Sequence, residues 1–515
     1  MPQGKERTKV LLIIMDGLGV APANRGNAVS LSKPQNLIKY WDAYPHTYLK
    51  ASGEAVGLPP GIYGNSEVGH MNIGSGKVIL QNLPKINKAI QTGAFFSNKT
   101  LESVLMHVQQ NNGAVHLIGC LSDGAVHAHT DHFLAVIEYF SKKNYKGKLY
   151  IQAFTDGRDT SPTAAADYLS KVQKKIDSTK IGRIASMCGR AFAMDRNKKW
   201  ERTQKAYDML VNGKATKVNN WQEGLKAAYD QKQTDEYIEP VMIPDQGSLP
   251  TIKANDAVIY MNYRSDRALQ LTDAFIQEDF SDFPVQKLPN LFFASMVAYR
   301  KDFPQNVLMP KEYITLSLGR IISEVGLKQL RIAESEKFPH VTYFFNGGIA
   351  IKYPGEDRIE IQSPNVPTYD MKPEMSALEV TQALEHRIDL MIYDFFVLNL
   401  ANTDMVGHTG NLEACIKAVS VVDQCIDRLV KRFVSHGGIV ILTADHGNVE
   451  EVIKLDSGEI DTEHSLNPVP FVIVSSALQG KTLRFGSLSD IAPTILQLMN
   501  ITQPDGMSGI SLFSK

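Results

Sequence analysis

The sequence predicts an α/β protein built on mainly parallel sheets, and three observations carry that expectation. Short β-rich runs alternate with amphipathic helical stretches along all 515 residues. Three apolar runs stop on side chains that can bind ligands. Val10–Met15 stops at Asp16-Gly17, Phe395–Leu400 precedes Asn402–Asp404, and Ile439–Thr443 ends at Asp445-His446. Between the last two runs, Leu412, Ile416, Val419, Val422, Ile426, Leu429 and Phe433 recur at three- and four-residue spacing, and Gly437-Gly438 follows. That is a helix with a glycine stop, hence a strand–helix–strand crossover. In open α/β sheets, ligand sites lie beyond the carboxyl ends of the strands, which is where these polar groups fall.

Asp16 ends the first strand on a tight turn, where Gly17 lets backbone approach closely. An ordinary Asp-Gly turn is the simpler reading of that pair alone. Next comes Gly64-Asn65-Ser66-Glu67-Val68-Gly69-His70. It is not a G-x-S-x-G elbow, and no Ser–His–Asp logic surrounds it. Ser66 is a candidate nucleophile only if activated, which a divalent ion does by lowering the hydroxyl pKa. Asn65 could donate to a phosphoryl oxygen; a Gly-rich turn with Ser and Asn as caps is the alternative.

The middle of the chain is rich in Arg and His. Arg158-Asp159 follows the strand-like run 149–154, Arg190 follows 181–187, and Arg264 and Arg267 follow 258–263. With His127 and Arg196 they suit a small anionic substrate, because guanidinium grips phosphate or carboxylate in bidentate fashion. For each arginine the alternative is a solvated, salt-bridged surface residue. His129 and His132 in VHAHTDH are candidate ligands or supporting residues. Ser161-Pro162 is expected to open a helix, with Ser161 as N-cap. Lys337 in SEKFPHVTYFFNGG could stabilise charge on a phosphoryl group, or lie on the surface.

Near the C-terminus, Asp404, His408, Asp445, His446 and His464 lie within about sixty residues, in NTDMVGHTG, TADHGN and TEHSLNPVP. Carboxylate oxygens with neutral imidazoles suit Mn²⁺, Zn²⁺ or related ions, and the lack of Cys within these three runs argues against a thiolate zinc site. Five such residues exceed what one open catalytic ion usually takes from protein, so a two-metal site and phosphoryl-type chemistry are expected. Asp404 and His408, four apart, could share a helix face; the adjacent Asp445 and His446 would reach ions from different directions.

Metal-type residues at both chain ends, with an anion-binding set between, imply one domain built from residues 1–80 and 312–515 and a second inserted at 81–311. The proline-bearing runs 81–85 and 309–311 are the expected connections. A formal net charge of −1 with no long basic run argues against nucleic acid as main partner. No apolar run reaches the ~18 residues needed to span a bilayer, and MPQGKERTK has no signal-peptide character. Cys120, Cys188, Cys415 and Cys425 form no C-x-x-C pair, which fits a reducing cytoplasm.

Taken together, MDGLG, GNSEVGHMNIG, SDGAVHAH, TDGRD, MNYRSDRA, HVTYFFNGG, TYDMKPEMSA, NTDMVGHTG and TADHGN resemble, in order and nearly end to end, the metal-dependent cofactor-independent phosphoglycerate mutases. The resemblance implies an alkaline-phosphatase-like domain built from both chain ends, holding two divalent ions with manganese expected, and an inserted α/β phosphotransferase domain. It implies one ion on Asp404, His408 and His464, and another on Asp16, Ser66, Asp445 and His446. Ser66 would carry the phosphoryl group between 3-phosphoglycerate and 2-phosphoglycerate without bisphosphoglycerate. Asp159 would shuttle the proton and Lys337 balance charge, while His127, Arg158, Asp159, Arg190, Arg196, Arg264, Arg267 and Lys337 hold substrate. Closure of the inserted domain would keep water out. A cytoplasmic monomer of glycolysis and gluconeogenesis, free of nucleic acid and membrane, is the expectation. Phosphomonoesterase and non-catalytic binding are the competing functions. The sequence departs from the family at Ala191-Phe192, at Ser75-Gly76-Lys77 and at Phe338-Pro339; the last affects the backbone beside Lys337, because proline restricts its predecessor.

Overall fold

The computed structural model describes residues 8–300, 306–311 and 314–513. The leading residues 1–7 and the expected boundary residue 312 lie outside this set. The chain forms two compact units, Met1–Gln81 with Tyr313–Lys515, and Asn82–Glu312. With strands numbered in chain order, the first unit holds an eight-stranded sheet. Its spatial order is β11 (Glu356–Ile361), β10 (Gln329–Glu334), β12 (Phe395–Leu400), β1 (Val10–Met15), β13 (Ile439–Thr443), β14 (Val469–Val474), β2 (His46–Lys50) and β15 (Gly486–Ser487). The run from β11 to β13 is parallel throughout, and β14 is antiparallel to both its neighbours. Every residue of β1, β12 and β13 is buried, because helices cover both faces, as a parallel sheet requires.

The second unit holds a seven-stranded sheet in the order β6 (Thr216–Lys217), β7 (Val241–Met242), β5 (Arg183–Gly189), β4 (Leu149–Thr155), β3 (Val115–Cys120), β8 (Ala257–Tyr260) and β9 (Phe292–Ser295). It is parallel except where β5 meets β7. The α/β expectation holds in both units.

The crossover helix spans Leu412–Ser435. Val419, Val422, Ile426, Leu429 and Phe433 are buried as the spacing predicts, while Leu412 and Ile416 are only partly covered. Gly437 takes φ +77, which places its N–H on Val434 O and that of Gly438 on Phe433 O. This left-handed close to the helix is why glycine stands there.

One expectation needs refinement and one correction. The division between the units falls at Gln81/Asn82, inside the run 81–85, but a helix begins at Asn82 and runs to Gln91. Pro84 sits in its first turn, where a missing N–H costs nothing. Ser161 does not cap a helix: the helix runs Ala165–Thr179. Its first amide donates to the carboxylate of Asp235, seventy residues away in sequence. That distant acceptor does what a local cap would otherwise do.

One buried group makes the first unit's stability depend on pH. Glu334 closes β10, accepts from Ser376 N at 3.1 Å, and has its Oε2 buried without a partner. Burial pushes its carboxyl from 4.5 up to about 7. A raised folded pKa means that the neutral form stabilises. The contribution is complete below the unfolded value and is lost as pH rises through 7. Glu334→Gln, which stays neutral, should therefore gain on the wild type by about 1–3 kcal/mol between pH 5 and pH 8.5. Melting temperatures across that range test this; a constant gap would show that Glu334 is charged throughout.

Candidate functional site

The register of three neighbouring strands builds the first half of the site. Met15 lies opposite Leu400, and Ile14 opposite Thr443. The strands β12, β1 and β13 thus end level, and the residues that follow them converge. Asp16 leaves β1, Asp404 lies in the short helix Asn402–Gly407 after β12, and Asp445-His446 follow β13. Gly17 takes φ +73, and a Cβ there would lie 2.8 Å from the Cα of Asp404. Only glycine allows this turn to sit so near the next ligand.

Ser66 is the first residue of the helix Ser66–Ser75, whose N-cap is Asn65, with Oδ1 accepting from Val68 N. Capping is therefore what the Asn65 carbonyl oxygen does. The helix packs directly on the cluster, for a Cβ on Gly69 would meet both Cβ and backbone O of Asp445 at 2.8 Å. Ser66 Oγ stands 3.0 Å from Asp16 Oδ1, 3.0 Å from His446 Nε2 and 2.7 Å from Lys337 Nζ. A helix N-terminus also favours negative charge at this spot.

Lys337 is buried, not on the surface. It donates to Asp16 Oδ1 at 2.9 Å and Asp404 Oδ2 at 2.5 Å, as well as to Ser66. Burial opposes its charge, yet the carboxylates of Asp16, Asp404 and Asp445 outweigh this and raise its pKa. Pro339 does not disturb its placement, because Pro339 opens the next helical turn, at His340–Phe344, where it needs no N–H.

Two groups of donor atoms fall within 4.8 Å of one another: Asp16, Asp445 and His446, and Asp404, His446 and His464. His408 joins the second group, with Nε2 at 3.3 Å from Asp404 Oδ1 and 3.1 Å from His464 Nε2. The imidazoles are oriented for ligation. His408 Nδ1 faces Thr462 O at 2.8 Å, and His464 Nδ1 faces Gly64 O at 2.8 Å. His446 Nδ1 faces Gly447 O at 3.3 Å. A proton on each Nδ1 leaves the Nε2 lone pairs aimed at carboxylate oxygens and at one another. That arrangement is repulsive unless a proton or a metal cation lies between. Asp445 Oδ2 is also buried with no hydrogen-bond donor. The donor set therefore fits hard divalent cations.

Sequence reasoning missed several residues behind the cluster. Asn399 donates to Asp16 Oδ2 at 2.6 Å and meets His70 Nε2 at 3.1 Å. His70 Nδ1 bonds Ser66 O at 2.8 Å. Both occur beside motifs already singled out, but nothing in spacing reveals their orientation.

The anion-type residues gather within the second unit. Arg190 is buried and binds Asp156 at 2.6 Å and Asp159 at 2.5 Å. Arg196 binds Asp266 at 2.7 Å, and Arg264 Nε lies 3.1 Å from the same carboxylate. His127 lies 3.8 Å from both Asp159 and Asp266. Arg158 lies 3.4 Å from Glu236. Arg267 donates to Met194 O at 3.1 Å. Burial, then the charges of Arg190, Arg196 and Arg158, lower the Arg267 pKa, as expected in a crowd of cations. Burial and Arg190 push His127 down to about 4, so it is a neutral hydrogen-bonding group near pH 7. Asp156, also missed, accepts from Ser122 Oγ, Asp159 N and Arg190. It stays below the usual carboxylate range through these bonds, despite burial. His129 caps the helix Thr130–Lys142, and His132 bonds Asn87 at 2.8 Å; both roles are structural.

Matches to known proteins give the family. Residues 8–503 match the metalloenzyme superfamily, so the chain is a member of that class. Within it, the chain is 47% identical over 509 residues to the 2,3-bisphosphoglycerate-independent phosphoglycerate mutase of Moorella thermoacetica, covering 98% of each. It is 46% identical to that of Clostridium acetobutylicum, covering 98% of this chain and 99% of the relative. It also aligns with a crystal structure of Leishmania mexicana phosphoglycerate mutase determined at low cobalt concentration, with TM-score 0.59 and 31% identity, over 99% of this chain and 98% of the other. The chain belongs to the family of 2,3-bisphosphoglycerate-independent phosphoglycerate mutases.

Protons should compete with metal here. All three imidazoles must be unprotonated to bind an ion. The carboxylate of Asp404 raises the His408 pKa. Against burial, Asp445, Asp16 and Asp404 raise His446 to about 10. Raised values mean that protons still compete at neutral pH, so apparent affinity should climb from pH 6 to pH 8. Chelator-competition titrations at pH 6, 7 and 8 measure this, and a flat affinity would sink the ligand assignment.

Proposed function

We propose that the chain interconverts 3-phosphoglycerate and 2-phosphoglycerate through a phosphorylated Ser66, with no need for bisphosphoglycerate. The observation that carries this reading is the setting of the Ser66 hydroxyl, 2.7 Å from a buried ammonium and 3.0 Å from each of two metal-type ligands. The ligand groups Asp404, His408, His464 and Asp16, Ser66, Asp445, His446 would hold two divalent ions, manganese being the proposed metal. When bound, such ions lower the pKa of a serine hydroxyl and neutralise phosphoryl oxygens.

The chain's own residues do the rest. Ser66, as the alkoxide that bound ions would favour by lowering its pKa, attacks phosphorus through Oγ, forming the Oγ–P bond as the P–O bond to glycerate breaks, and the second transfer returns it as the alkoxide. Lys337 Nζ and the helix N-terminus stabilise negative charge on the equatorial oxygens. Asp159 gives a proton to the departing alkoxide, and later takes one from the other hydroxyl as that oxygen attacks the phosphoserine. Arg158, Arg190, Arg196, Arg264, Arg267 and neutral His127 hold the glycerate between the two transfers. Atoms balance, and the net change is the position of one phosphoryl group.

A cytoplasmic monomer without nucleic-acid or membrane partners is proposed. The four cysteines are buried and free, in keeping with a reducing compartment. Among the described residues, no helix is long and apolar enough to cross a membrane.

Ser66→Ala is the direct test. Metal-loaded wild type should isomerise 3-phosphoglycerate with no added bisphosphoglycerate, and the variant should lose at least about a thousandfold in kcat. An unchanged rate removes Ser66 from its role; phosphate release outpacing isomerisation in the wild type would make the protein a phosphatase. Asp156→Asn should lower kcat/KM by about 10- to 100-fold, since it loosens Arg190 and the Asp159 amide together. Steady-state kinetics check this, and wild-type values would mean that Asp156 only supports the fold.

A further inference from the structure

Glu450 lies five residues beyond Asp445 and belongs to neither ligand group. It is 1% exposed and has no cationic partner within salt-bridge reach among the described residues. Its carboxylate is held entirely by neutral donors. Oε2 accepts from Gly19 N at 2.9 Å and from Asn448 N at 2.9 Å. Oε1 accepts from the Ser465 hydroxyl and from Asn467 Nδ2, the latter at 3.1 Å.

Each donor belongs to a segment that carries ligands. Gly19 follows Asp16, Asn448 follows Asp445-His446, and Ser465 follows His464. Asn448 extends the link to a fourth segment, because its Nδ2 donates to Asp404 Oδ1 at 3.3 Å. The packing is closed around the carboxylate: a Cβ on Gly19 or on Gly447 would lie 2.2 Å from Glu450 Oε1. A buried anion satisfied by four neutral donors fixes the mutual spacing of the segments those donors sit on, since losing any one bond leaves charge uncompensated.

We propose that Glu450 is a positioning residue that sets the spacing of the metal-binding segments and thereby the affinity for divalent ions. This rests on the reading of Asp16, Asp404, Asp445, His446 and His464 as ligands. It assigns Glu450 no contact with substrate. Glu450→Gln keeps the shape but puts an NH₂ group where an oxygen now accepts two donors. Affinity for Mn²⁺, measured on the full chain by competition with a chelator, should fall by about 10- to 100-fold, the range for residues that orient ligands. At saturating Mn²⁺ the kcat should recover to within several-fold, with KM for phosphoglycerate unchanged.

A residue that merely supported the fold would lower the melting temperature of the metal-free protein and leave Mn²⁺ affinity as it was; that result overturns the proposal. Should the Gln variant not fold, Ser465→Ala removes one of the four donors and should weaken Mn²⁺ binding in the same direction; unchanged binding there also overturns it. Wild-type protein that binds Mn²⁺ tightly but does not isomerise phosphoglycerate would refute the proposed function while leaving the role of Glu450 to stand or fall on the affinity measurement.

Discussion

Three carboxylates, those of Asp16, Asp404 and Asp445, are buried around one small volume, and the first unit is organised by the need to tolerate them. Two unit charges about 4 Å apart repel by roughly 4 kcal/mol at an effective dielectric near 20. Buried carboxylates in that state would take up protons unless cations were supplied. Asp16 and Asp404 instead lie well below the ordinary carboxylate range: burial alone would raise both, and Lys337 leads the forces that lower them. One ammonium against three carboxylates leaves an excess of negative charge. The histidines line its edge with Nε2 directed inward, where a proton or a metal cation balances the charge, so the region is built to take cations.

The parallel sheet makes this crowding affordable to fold. Because β12, β1 and β13 are neighbours in register, three ligand-bearing segments meet without long excursions, although Gly17 and Asp445, whose N–H and carboxylate bond at 3.3 Å, stand 428 residues apart. The helix Ser66–Ser75 then needs only one close approach, made possible at Gly69, to set its first residue against the cluster. Sheet register and glycine placement, rather than any local motif, decide where the Ser66 hydroxyl lies.

That division explains what the sequence disclosed. Apolar runs followed within one to four residues by Asp16, Asp404 and Asp445 were legible because each strand and its carboxylate lie close together in sequence. The crossover helix was legible because its apolar stripe and its Gly437 stop are local signals. Arg158, Arg190, Arg264 and Arg267 were legible because each follows a strand; Arg196 has no such mark. Residues whose role depends on a distant partner were not: Asp235 capping the helix Ala165–Thr179, Asp156 holding Arg190, Asn399 holding Asp16. Strands β6, β7 and β15 are two residues long and exist only through their pairing partners, so no periodicity could announce them. Lys337 shows the limit most clearly. A lysine beside Phe338-Pro339 carries no sequence mark of burial, and only the fold shows that it lies among carboxylates.

The two units solve opposite problems by the same device. In the first, carboxylates meant for cations are held together by the side-chain ammonium of Lys337. In the second, guanidinium groups proposed to bind an anion are held together by Asp156, Asp159 and Asp266. Each unit thus contains its own counter-charge, which lets it fold before any ligand arrives and keeps its charged side chains pointed inward. The same counter-charges would set a cost for the proposed binding, because an incoming anion would compete with Asp159 for Arg190. A net charge of −1 conceals both clusters, because each sets most of its charge against opposite charge in its own unit.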